Sequence, residues 1–130
     1  MSFSTALSQG IQISVVAAFR ADLSQLQNGH YFFTYDIQIL NKNRWTVQLL
    51  NREWFIFDSL GQKGVVRGEG VIGEQPVLAS EESFGYTSGC SLQSEIGAMH
   101  GYYTFQNLDS GQLFRVRIPA FQLIHPCRLN

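Results

Sequence analysis

Apolar residues recur at every second position along much of this chain, and no segment holds a helical period for three turns. Every odd position from Ile11 to Phe19 is apolar. Phe33, Tyr35, Ile37 and Ile39 alternate with Thr34, Asp36 and Gln38, and Phe114, Val116 and Ile118 alternate with Arg115 and Arg117. Side chains two positions apart share one face of a strand, so this alternation predicts strands with one face buried. Runs rich in β-branched and aromatic residues at 47–51, 54–58, 65–66, 84–86 and 102–105 add further strands. Leu60-Gly61-Gln62 and Asp109-Ser110-Gly111 supply turns, the second closing a hairpin.

Pro119 has no N–H to give a ladder, so it is expected to end a strand, leaving Phe121-Gln122-Leu123 as a short last one. Two stretches, 21–29 and 91–101, are expected as long connections. Several short strands separated by Gly, Asn and Ser clusters predict an all-β fold, an immunoglobulin or fibronectin type III-like antiparallel β-sandwich, with a small barrel as the alternative. A length of 130 residues suits one domain spanning 1–130, with 1–10 as a short N-terminal tail.

Charge and leader signals narrow the partners. A formal net charge of -1 with scattered Lys and Arg gives no general attraction to polyanions, so no nucleic-acid binding is expected. Residues 1–10 lack a basic start and an apolar stretch of signal-peptide length, and no later apolar run is long enough to span a bilayer. The expectation is a cytoplasmic protein that does not enter a membrane. Cys90 and Cys127 are accordingly expected as reduced, buried thiols rather than a disulfide.

The run Gly68-Glu69-Gly70-Val71-Ile72-Gly73 has the glycine spacing of a dinucleotide-binding fingerprint. That fingerprint requires a helix after the last glycine, whose N-terminal amides hold the pyrophosphate. Here Glu74-Gln75-Pro76 and Val77-Leu78 follow instead, and no helix fits. In an all-β chain, closely spaced glycines mark a bulge, a tight bend or a close approach of backbones. A second reading makes Arg67, Gly68, Gly70 and Gly73 an anion site, with loop amides forming a nest and Arg67 as counter-charge. A third lets Glu69 and Glu74 hold a hard divalent cation. His30, His100 and His125 lack metal-ligand spacing, and neither cysteine sits in a C-x-x-C pair. Cys90 with His100 would form a nucleophile and base only if the fold brought them together, and no Walker A loop or nucleophile elbow is present. Arg115 and Arg117 share one strand face, where an acidic partner or a phosphate could pair with them. Trp45, Trp54, Tyr31, Tyr102 and Tyr103 divide between core and interaction surface.

Tyr31-Phe32-Phe33-Thr34-Tyr35-Asp36-Ile37, Val47-Gln48-Leu49-Leu50-Asn51-Arg52-Glu53-Trp54 and the glycine run through Pro76 occur in order along the chain. They are followed by Tyr86-Thr87-Ser88-Gly89, Gly97-Ala98-Met99-His100-Gly101-Tyr102 and Ile118-Pro119-Ala120-Phe121. With these motifs the sequence resembles the ApaG family from about Ile11 onward. Ala79-Ser80-Glu81, where a Pro-Gly turn is common, and Ser94-Glu95-Ile96, where Thr-Pro is frequent, depart from the pattern and bear on loop shape. The resemblance implies a fibronectin type III-like sandwich. It also implies a bacterial stand-alone protein linked to cobalt and magnesium tolerance, whose gene lies near that of a diadenosine tetraphosphate hydrolase. Similar domains in an F-box adaptor and a DNA-polymerase-delta-interacting protein look like interaction modules. The expectation is therefore a non-enzymatic binding module with a protein partner and no resident cofactor, acting on cation tolerance indirectly, with edge-to-edge dimers open to it. The alternative is a protein or enzyme for phosphate compounds such as pyrophosphate, nucleotides or dinucleoside polyphosphates, using the glycine loop and a cation.

Overall fold

The computed structural model describes residues 2–61 and 63–128. Its strands are β1 (Ser2–Ser8), β2 (Ile11–Phe19), β3 (Tyr31–Asn41), β4 (Val47–Asp58), β5 (Lys63–Glu69), β6 (Val77–Leu78), β7 (Ser83–Leu92), β8 (Ile96–Asn107) and β9 (Leu113–Ile124). One sheet runs β1-β2-β3-β7. The other runs β5-β4-β8-β9, with β6 continuing the β5 edge of β4. All pairings are antiparallel, as expected for a sandwich. Ile11, Ile13, Val15, Ile37 and Ile39 from one sheet meet Leu49, Trp54, Tyr103, Phe105, Val116 and Ile118 from the other in a single core. Trp54 stands edge-on to both Tyr103 and Phe121.

Three expectations are corrected. Residues 2–8 are strand β1, not a tail, and pair with β2 from Ser2↔Ala17 to Ser8↔Ile11. Phe3 and Leu7 face solvent while the smaller Ser4, Ala6 and Ser8 are half-buried, so the apolar alternation is inverted and gives no strand signal. The stretch 91–101 is mostly strand, the end of β7 and the start of β8, leaving a tight turn at 93–95. That turn hangs on the buried Asp58 carboxylate, which accepts from the Gln93 amide at 2.7 Å and from Ser94 Oγ at 2.5 Å. It accepts from the Leu60 amide as well, so one side chain ties two chain reversals together.

Pro119, third, lies buried in the middle of β9 and does not end it. Met99 pairs with Phe121 and Gly101 with Ile118, so Pro119 and Ala120 stand together opposite His100. The extra residue of this bulge absorbs the missing N–H. The stretch 21–29 carries two short 3-10 turns and no strand. Among the described residues no helix is long and apolar enough to cross a membrane.

Candidate functional site

The glycine run resolves into a small hairpin between β5 and β6, on the edge of β4 that those two strands share. Val71 and Glu74 exchange backbone hydrogen bonds of 2.8 and 2.9 Å across Ile72 and Gly73, whose φ values are 43° and 80°. Positive φ at both central residues marks a type I′ turn. Gly70 has φ 61°, and a Cβ there would lie 2.1 Å from the Glu74 carbonyl oxygen. The hairpin drives Val71 into the core at 0% exposure and leaves Ile72 54% exposed. Burying a valine side chain is worth roughly 1.5–3 kcal/mol, so the loop contributes to the fold directly.

The same geometry bears on the anion site. The amides of Gly70, Val71 and Glu74 donate to Leu50, Glu74 and Val71 respectively, and the carbonyls of Glu69 and Gly70 accept from Arg52 Nη1 at 2.9 and 3.0 Å. What the loop turns toward its charged neighbour is carbonyl oxygen. Arg67 sits on β5 and pairs with Glu53 rather than with the loop. Glu69 lines a shallow cleft with Glu53 and Arg67, whereas Glu74 is exposed and not part of that lining. Among the described residues no group of three or more His, Cys, Asp or Glu side chains converges as a metal ligand set.

A bulge in β4 decides which side chains face outward. Leu49 pairs with Phe105 and Asn51 with Thr104, so Leu50 is an extra residue and the parity of β4 reverses there. Before it, Val47 and Leu49 point into the core; after it, Trp54 and Asp58 do. Glu53, Phe55 and Phe57 are thereby turned to the solvent face of the five-stranded sheet. Phe55 stands between Val65 and His100, and its ring stacks on His100 at 5.1 Å. Phe57 is 43% and Val65 50% exposed.

The next row of the same face is charged. Glu53 lies between Arg67 and Tyr102 and holds two arginines, Arg67 on one side and Arg115 at 3.4 Å on the other. Arg115 also lies 4.0 Å over the Tyr102 ring. Arg117 is paired in register with Tyr102 and exposed, so Arg115 and Arg117 do share a face. Glu53, Arg67, Tyr102 and Arg115, with Arg52 and Glu69, line a cleft of about 560 Å³, and Arg117 lies outside that lining. An aromatic and apolar row thus adjoins an arginine-rich one on an open sheet face.

Cys90 and His100 are not brought together, because Cys90 faces inward from β7 and His100 outward from β8. Burial pushes the Cys90 thiol up to about 11, which holds it protonated. Cys127 is exposed, a correction to the expectation of two buried thiols, and both cysteines are free. Trp54 and Tyr103 are core, while Trp45 is 40% exposed. Sequence reasoning missed Phe55, Phe57 and Glu53, since their outward orientation follows from the bulge at Leu50. The polar interruption Asn51-Arg52-Glu53 was its one local signal.

A family model described as the ApaG domain matches residues 21–107. "Protein ApaG" of Methylobacterium sp. (strain 4-46) is 45% identical over 118 residues, covering 91% of this chain and 90% of that protein. Its namesake in Bradyrhizobium sp. (strain ORS 278) is 42% identical over 121 residues, covering 93% and 92%. A crystal structure of an ApaA protein from Bordetella pertussis superposes with a TM-score of 0.86 at 37% identity, covering 89% of this chain and 94% of that one.

Proposed function

The chain belongs to the ApaG family, and from that premise we propose that it is a non-enzymatic protein-binding module that docks its partner on the outer face of the β5-β4-β8-β9 sheet. The observation that carries this reading is the row Val65, Phe55, His100 with Phe57 beside it, solvent-facing apolar and aromatic side chains next to Arg67, Arg115, Arg117 and Tyr102. An outer sheet face with no partner is normally polar. Aromatic and arginine side chains are the types that dominate binding energy at protein interfaces. The arginines outnumber Glu53 and Glu69 on this face, which favours a partner that brings carboxylates to the rim and apolar groups to Phe57.

The link to cobalt and magnesium tolerance then runs through the partner, in the cytoplasm, as an indirect or regulatory effect. The competing reading, binding or turnover of a phosphate compound, finds support only in the arginine side chains of the cleft, where a phosphate would compete with Glu53 for Arg67 and Arg115. Affinity capture from a native lysate of the source organism, run in parallel on the wild type, Phe57→Asp and Gln38→Asp, tests the proposal. Gln38 is exposed on the opposite sheet. A stoichiometric partner held by the wild type and by Gln38→Asp, and lost with Phe57→Asp, is the expected result. A partner held equally by all three overturns this face as the docking site.

A further inference from the structure

The sandwich closes on the side where β1 approaches β9 and opens on the other, between the edges of β7 and β5. There the two sheets leave a cleft of about 400 Å³ whose walls include Tyr35, Trp54, Tyr86, Ser88 and Cys90, with Arg52 among them. The bulge at Leu50 that turns Phe55 outward turns Arg52 inward, into this cleft. Gly68 seats the guanidinium: a Cβ there would lie 2.9 Å from both Nη atoms, so the planar group rests against bare backbone.

Nη1 is held by the carbonyls of Glu69 and Gly70. No carboxylate pairs with Arg52 among the described residues; the ion pairs are Arg20 with Asp22, and Arg67 and Arg115 with Glu53. Arg52 is also the only charged residue lining the cleft among those described, and on its other side it borders the outer-face cleft that holds Glu53 and Glu69. Burial raises the pKa values of Tyr35, Tyr86 and Cys90, so those groups stay neutral and the cleft carries a single positive charge. A half-buried cation fixed by neutral carbonyls, inside a neutral and largely apolar recess, is electrostatically complementary to one anionic group on an apolar body. The volume lies in the range of small-molecule sites and is too confined for a folded partner.

We propose that this inter-sheet cleft binds a small organic monocarboxylate, its carboxylate on Arg52 and its apolar body between Trp54 and the β7 edge. Because Arg52 also borders the outer-face cleft, the two sites adjoin there, but the apolar walls of this one lie between the sheets and the proposal does not depend on the protein-binding reading. The test uses the full chain labelled with 15N, titrated with phenylacetate, with phenylacetamide as the neutral isostere and with inorganic phosphate. Phenylacetate is expected to shift the amides of residues 86–91 and the Trp54 indole saturably, with phenylacetamide and phosphate each at least about tenfold weaker. Arg52→Gln should weaken phenylacetate roughly ten- to hundredfold, the worth of a charge-assisted bond to a carboxylate. Should that variant fail to fold, Ser88→Leu, which fills the cleft and leaves Arg52 in place, must abolish the same shifts. Equal binding of the amide, absence of saturable shifts at millimolar phenylacetate, or shifts retained in Ser88→Leu overturns the proposal.

Discussion

Replacing Gly70 with alanine separates an architectural glycine loop from a ligand-binding one by magnitude. At φ 61° an L-residue pays about 1–2 kcal/mol for the left-handed conformation. The new Cβ also meets the Glu74 carbonyl oxygen at 2.1 Å, a backbone atom that cannot swing aside. Relief requires the Val71–Glu74 pair to open, and each of its two hydrogen bonds is worth about 0.5–1.5 kcal/mol net. Gly70→Ala should therefore cost about 2–5 kcal/mol. Gly73→Ala is the internal control, since its φ is 80° but nothing lies within 4 Å of the added carbon. It should cost only the conformational penalty, about 1–2 kcal/mol. Urea unfolding followed by tryptophan fluorescence measures both, and for a domain of this size 1 kcal/mol corresponds to roughly 4 °C in melting temperature. Equal costs at the two positions, or a Gly70→Ala variant within about 0.5 kcal/mol of wild type, would refute the reasoning.

The strained turn predicts a gain elsewhere. Ile72 is β-branched, exposed and held at φ 43°, so Ile72→Asn should stabilise the domain by about 1 kcal/mol in the same unfolding assay. Burial alone would raise the pKa of Asp58, but the hydrogen bonds from Ser94, Gln93 and Leu60 outweigh it and leave the carboxyl below its ordinary 3.8. A carboxyl depressed in the folded state stabilises the fold fully above pH 3.8 and loses that contribution as pH falls through the folded value. Asp58→Asn, which sets an amide against the Gln93 and Leu60 N–H groups, should cost about 2 kcal/mol at neutral pH, with the gap to wild type narrowing as pH drops below 3.8. A gap independent of pH would remove Asp58 as the cause. Thiol titration with a disulfide reagent at neutral pH should label Cys127 in the native protein and Cys90 only after denaturation, given its burial and raised pKa. Rapid native labelling of Cys90 would contradict its placement.

Where alternation was unbroken the strands were legible to the residue: β2 and β3 follow the sequence pattern because one face of each is buried throughout. Legibility failed where the structure inserts a residue. The run 47–58 looks like two strands because Leu50 shifts the parity, so Val47 and Leu49 fall out of phase with Trp54 and Asp58. Pro119 looks like a stop because the bulge that accommodates it is visible only against its partner strand. The same limit governs the site. Arg115 and Arg117 could be placed on one face from their own strand, but that Glu53 stands between Arg67 and Tyr102 is a fact of register. The glycine spacing was legible as a bend; its closing contact, Gly70 on the Glu74 carbonyl, was not.

Site-directed photo-crosslinking from the sheet face bears most directly on the central claim. A benzophenone amino acid at position 57, on the outer face of the β5-β4-β8-β9 sheet, should capture a defined protein in living cells, whereas the same group at position 38, exposed on the opposite sheet, should capture none. A defined adduct from position 38 with none from position 57, or no protein adduct from either, would contradict the account.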